Sequence, residues 1–232
     1  YGKGEKLVFG EPWSASETPM EQEALPALKK NIDRLNPQVG FFCDDTRDAI
    51  KGHTFEGKTP GFVNGGKGQE GAILSSVKAW CGPGSKVQAP SQVVTYVSAH
   101  DNWTLWDKLS LTVEDEAERM RANRMAAAVY MTCQGRIFFL SGEEASRTKG
   151  GLENSYNAPI EINRLDWNRM YEQYELVEYY SGLIALRKRL PGLCDKSKDA
   201  WKRIRDEWKT DGVVGFLVDN HSESQPSLWE TL

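Results

Sequence analysis

Residues 93–109 read VVTYVSAHDNWTLWDKL, a β-favouring run that passes directly into His100, Asp101, Asn102, Trp103 and Trp106. An imidazole beside a carboxylate can handle protons and developing charge, and neighbouring indole rings offer flat apolar faces. Other apolar runs end in acids too. Glu11 follows KLVFG, Asp44 and Asp45 follow QVGFFC, and Glu143 and Glu144 follow RIFFLSG. Two carboxyl groups flanking a glycosidic bond suit its hydrolysis: one protonates the departing oxygen, and the other attacks the sugar or stabilises its positive charge. Trp13, Trp103 and Trp106 would then stack against sugar rings, although any single tryptophan also fills a core, Trp106 as readily as not. Glu11 and Asp101 could instead be a helix cap or a surface ion pair; their shared place at strand ends favours the chemical role. His100 adjoins an acid at such an end, which suits a donor to a sugar hydroxyl better than a general base. His53 and His221 lie in polar loops and take no role.

For these groups to meet, the runs must be parallel strands, whose carboxyl ends share one face. The first is Lys6 to Gly10. TPMEQEALPALKKNIDRL reads as a helix: Thr18 caps it, Pro19 fits its first turn and Glu21 completes a capping box. Leu25, Leu28, Ile32 and Leu35 form its apolar stripe. QVGFFCDD is a second strand, followed by a Gly-rich loop over 57–68 and a helix near Ala72–Trp80. A third strand spans Val93–Ser98, and a helix over Glu114–Cys133 is stopped by Gly135. RIFFLSGEE is the fourth strand. A long polar loop then leads to a helix near Tyr171–Leu190, buried through Leu176, Tyr180, Leu183 and Ile184 and ended by the PG at 191–192. This alternation predicts an α/β fold with a parallel sheet covered by helices. The strands are nearly continuous in apolar residues, as burial on both faces requires. DGVVGFLVDNHSES adds one more strand with a turn.

Composition removes other classes. The formal net charge is −4 over 232 residues and no basic run stands out, so nucleic acid is not an expected partner. No apolar stretch approaches the ~20 residues of a membrane-spanning helix, so no membrane is expected either. Cys43, Cys81, Cys133 and Cys194 form no CxxC pair; three of them sit in apolar or helical stretches, which favours buried thiols over metal or disulfide chemistry. HExxH and EF-hand spacings are absent, so no cofactor or metal is expected, calcium being left open.

Together, VTYVSAHDNWTLWDKL, FFCDDTRDAIKG, GFVNGG and FFLSGEEASRTKGGLENSYNAPIEINRLDW closely resemble type I pullulanases, debranching enzymes of the α-amylase superfamily (glycoside hydrolase family 13). The resemblance runs from about Leu7 to about Leu190, with its blocks in the family's order. It implies a (β/α)8 TIM barrel in which these blocks are the fifth to eighth strand units. By resemblance, FGEPW carries the general acid, Glu11. SAHDN carries the transition-state-stabilising Asp101, with His100, Asn102 and Trp103 on the same sugar-binding rim. Trp13 and the NSYN segment, with Asn154, Tyr156 and Asn157, are similar to substrate-lining positions. Pro12 stands where the family more often has glycine, and Ile160 where it commonly has aspartate. The family's nucleophile, an aspartate on the fourth strand upstream of the acid, has no counterpart block here.

The expectation is therefore half of a TIM barrel over residues 1–192, with 193–232 as a C-terminal extension beginning a β segment. A barrel cut open exposes edge strands and an apolar face, so a homodimer burying that seam is expected. The expected activity is hydrolysis of α-glucosidic bonds in starch-type glucans, weak because the nucleophile strand is missing. A non-catalytic carbohydrate-binding fragment is the alternative, and an inert truncation the third reading.

Overall fold

Side chains alternate across a strand, and in the two middle strands of this sheet both sets find apolar cover. In the computed structural model, which describes residues 6–16, 19–20, 23–222 and 229–231, four short strands pair in parallel and in chain order. They are β1 (Val8–Gly10), β2 (Val39–Phe42), β3 (Val93–Thr95) and β4 (Arg136–Ile137). Register runs Phe9 to Gly40, Phe42 to Val94, and Thr95 to Ile137. Phe41, Cys43 and Val93 face one side, packed with Ile32, Ala79 and Cys81. Phe42, Val94 and Tyr96 face the other with Phe138. There the Phe42 ring meets Phe9, Tyr96 and Phe138 edge-on at centroid distances of 5.5, 4.9 and 5.3 Å, the geometry aromatic quadrupoles favour.

The helices are α1 (Asp44–Lys51), α2 (Glu70–Val77), α3 (Leu105–Ser110), α4 (Glu116–Met131), α5 (Ile160–Asn163), α6 (Trp167–Glu172), α7 (Tyr174–Arg189) and α8 (Pro191–Cys194). Ile50, Ile73, Val97, Leu105, Leu109, Tyr130, Leu176 and Tyr180 make the main core between them. Local chemistry sets the ends. Thr104 Oγ1 accepts from Asp107 N at 3.1 Å to start α3, and Asp115 accepts from Glu118 N at 2.8 Å to start α4. Gly135, at φ +94°, turns the chain towards β4 where a Cβ would sit 2.9 Å from the Val93 carbonyl.

Three differences from the sequence expectation have physical causes. The helix drawn through 18–35 is not continuous. Thr18 and Glu21 lie outside the described residues, 24–28 is irregular, and only Lys29–Arg34 forms a 3-10 helix, kinked at Asn31. Pro26 has no N–H to give a helix and disfavours helical backbone before it; of the stripe, only Ile32 is fully buried and Leu25 is exposed. Asp44 and Asp45 do not end a strand: they open α1, where carboxylates suit the positive helix terminus. The C-terminal region is more than one strand. β5 (Ile204–Thr210), β6 (Val213–Asp219) and β7 (Trp229–Thr231) form an antiparallel sheet. Ile204, Phe216 and Val218 pack against Leu74, Val77, Leu190 and Leu193, so polar, exposed β5 is held by pairing with β6 rather than by a pattern of its own. Among the described residues, no helix is long and apolar enough to cross a membrane.

Candidate functional site

Parallel strands deliver their carboxyl ends to one rim, and a cavity of about 670 Å³ opens there. Glu11 follows β1 and is exposed, while Pro12 behind it is buried and accepts Lys29 N at 2.9 Å. His100 and Asp101 follow β3. One carboxylate oxygen each from Glu11 and Asp101 and a ring nitrogen of His100 lie within 4.8 Å of one another. His100 Nε2 is 3.5 Å from Asp101 Oδ1. Such a trio can pass a proton, stabilise a cation, or take a divalent ion between its donors. Trp13, Phe42, Phe55, Tyr96 and Tyr156 add aromatic surface to the walls, and Asn102 and Asn154 add amides. Flat apolar faces among a few convergent polar groups suit a sugar.

The base of the cavity is cationic. Arg47 donates to the Tyr96 hydroxyl at 2.9 Å and to Asp48 at 2.7 Å. Burial lifts the Tyr96 phenol to about 12, so it stays protonated. Lys51 donates to the Trp103 carbonyl at 3.1 Å. Its burial, aided by the like charge of Arg47, pulls its pKa down to about 7. Asp44 of the lining is paired at 2.7 Å with Lys29, which also holds Asp45 at 2.6 Å. Burial draws the lysine's pKa down, but the two carboxylates outweigh that and raise it overall.

Several expected residues lie elsewhere. Trp103 is outside the cavity lining: its Nε1 donates to the Gly151 carbonyl at 3.0 Å, and Lys108 Nζ sits 5.9 Å from its ring. Asn157 is exposed beyond the cavity wall. Trp106 is buried, with Arg119 over its ring at 5.0 Å. Glu143 does not reach the rim with the other strand-end acids. It is 3% exposed and accepts from Ser98 Oγ and Tyr130 at 2.8 Å and Tyr180 at 3.2 Å. Glu144 folds back onto Gly142 N at 2.9 Å. A short 3-10 turn over Glu143–Ala145 aims these neighbours in opposite directions, which strand-end position alone does not reveal. Cys43, Cys81 and Cys133 are buried thiols as expected, Cys43 pushed up to about 11 by burial, and Cys194 is exposed.

No family model matches the chain. It is 41% identical over 190 residues to the pullulanase of Bacillus subtilis (strain 168), covering 80% of this chain and 26% of that protein. The crystal structure of a pullulanase from Paenibacillus barengoltzii, in complex with maltohexaose and α-cyclodextrin, superposes with a TM-score of 0.87 at 38% identity. That match covers 96% of this chain and 35% of that one. Over most of its length the chain is homologous to part of the catalytic region of pullulanases. The B. subtilis pullulanase in complex with maltose superposes at a TM-score of 0.83 and 35% identity, over 91% of this chain and 30% of its own. The chain thus spans about a quarter to a third of the pullulanases it matches. Arg47, Lys51, Phe55 and Glu153 line the cavity of this pullulanase segment without having been singled out by spacing. Their signal was faint: Arg47 and Lys51 lie one helical turn apart on α1, a helix that the strand-end reading of Asp44 and Asp45 concealed.

Proposed function

We propose that this chain forms the acid-and-stabiliser side of a glycoside hydrolase site acting on α-glucosidic bonds of starch- or pullulan-type glucans. The observation that carries this reading is the meeting of Glu11, His100 and Asp101 in an aromatic-walled cavity. The solved pullulanases support it, since one was determined in complex with maltohexaose and another with maltose. Glu11 gives a proton to the departing glycosidic oxygen. Asp101 faces the positive charge that grows on the sugar ring, and His100 donates to a sugar hydroxyl. Trp13 and Tyr156 take a ring face, and Asn102 and Asn154 bond hydroxyls; Trp103 and Asn157 act as outer contacts for a longer glucan.

The architecture proposed with it is half of a TIM barrel over 1–192, with 193–232 as an extension. A retaining mechanism also needs a nucleophile, which the resemblance places on a strand upstream of the acid. Leu7, just before β1, and Val8 and Phe9 within it are exposed, at 61%, 45% and 40%. An exposed apolar edge strand favours pairing, which supports a homodimer. Sedimentation at micromolar concentration tests this part, and a well-folded monomer refutes it.

The test of function is reducing-sugar release from pullulan and soluble starch by the purified chain and its Glu11→Gln variant. Release that falls at least a hundredfold in the variant supports the assignment. Release unchanged by the substitution refutes Glu11 as the acid. Maltohexaose binding without any release would instead favour a carbohydrate-binding segment without turnover.

A further inference from the structure

The rim turn that carries Asp101 is held from behind by a buried cation. Asn102 sits at φ +62°, the left-handed region that costs a non-glycine residue energy, so the turn needs outside support. Lys149, on the segment after β4, is 3% exposed. Its ammonium donates to the His100 carbonyl at 3.3 Å and the Asn102 carbonyl at 2.6 Å, on either side of Asp101. Its third acceptor is the Glu153 carbonyl at 3.2 Å, where the wall bearing Asn154 and Tyr156 begins. One ammonium has three hydrogens, and here all three are spent on two walls of one cavity.

The lysine is itself anchored. Asp107 of α3 accepts Lys149 N at 2.7 Å and Gly151 N at 3.3 Å, and Thr148 Oγ1 as well. Burial draws the ammonium's pKa down, while Asp107 chiefly, with Asp101 and Glu153, opposes that. Lys51 adds a second brace at the Trp103 carbonyl.

We propose that Lys149 is a positioning residue that sets the separation between the Asp101 turn and the Asn154–Tyr156 wall, and so the width of the sugar-binding cavity. The sugar part of this statement rests on the glucan reading above; the positioning part does not.

Hydrogen exchange and maltohexaose titration, both on the whole chain, test the two parts separately. Lys149→Met keeps the stem and removes the donors. Lys149→Gln is the second variant should the first not fold. The control is Arg187→Met, which strips a different set of carbonyls (Met131, Cys133, Gly135 and Leu193) far along the chain. The expected result is at least tenfold faster exchange for amides in 99–104 and 152–156 together, with strand amides 39–43 unchanged and maltohexaose affinity at least tenfold weaker. Arg187→Met should leave that affinity within twofold. Faster exchange spread evenly over the chain, or none in the two segments, overturns the positioning role. Local loss of protection in a chain that never binds maltohexaose leaves Lys149 as the brace and refutes the glucan reading instead.

Discussion

Glu143→Gln should remove a specific arm of the pH dependence of stability. The carboxyl is buried under Ser98, Tyr130 and Tyr180, and burial lifts its pKa from 4.5 to about 7 against the pull of those hydroxyls and of Lys51. A carboxyl that holds its proton more tightly when folded stabilises the fold most below its unfolded pKa. That stability drains as pH climbs through the interval from 4.5 to about 7. At about 1.4 kcal/mol per tenfold, the whole interval amounts to about 3 kcal/mol, of which about 2 falls between pH 5 and 7.5. Glutamine keeps the shape and does not titrate. Urea unfolding of both proteins at the two pH values is the assay: the wild type should lose about 2 kcal/mol more than the variant, roughly a 1 M difference in midpoint shift. Equal pH slopes in the two proteins would falsify the claim that this carboxyl is desolvated.

Lys51→Met should flatten the opposite arm: burial lowers its folded pKa to about 7, so wild-type stability rises from pH 7 towards 10.5, and the same urea series at pH 7 and 9.5 reads the change. Lys108 is fully buried, with its ammonium on the carbonyls of His53, Glu56, Gly57 and Thr59 at 2.6–3.1 Å. Lys108→Met strands all four and should cost about 3–5 kcal/mol, a fall of roughly 10 °C in Tm by calorimetry. Gly61→Ala puts a Cβ 2.3 Å from Gly52 N and 2.6 Å from the Ile50 carbonyl, backbone that cannot yield cheaply, so a loss of about 2–3 kcal/mol is expected in denaturant titration. Trp13→Ala removes an exposed cavity-lining ring and should weaken maltohexaose about tenfold in calorimetric titration with Tm unchanged; unaltered affinity would remove Trp13 from the sugar site.

Much of the site was legible because strand ends are marked locally. An apolar run followed by an acid identified Glu11 and Asp101, and parallel order required that they share a face, where the structure has them with His100 in one cavity. The same rule misread Glu143 and Asp45. Where a strand-end acid goes depends on a single turn's dihedrals: in the turn over 143–145 Glu143 enters the core and Glu144 folds back onto Gly142 N, and neither lines the cavity. Trp103 and Trp106 show the matching ambiguity for aromatics: three residues apart in α3's approach and first turn, one braces a loop and the other fills the core.

The sequence by itself determined the order of the four parallel strands and of α2, α4 and α7 between and after them, and the residue types gathered at the carboxyl rim, since periodicity and turn chemistry act over a few residues. Only the tertiary structure decided which carboxylates reach the cavity, and that Lys51, Lys108 and Lys149 turn inward onto backbone carbonyls, all but one of them 47–55 residues away along the chain. A lysine in sequence looks like solvent-facing charge. Its burial is settled by distant backbone oxygens left unpaired by irregular loops, and no local pattern records where those oxygens will be.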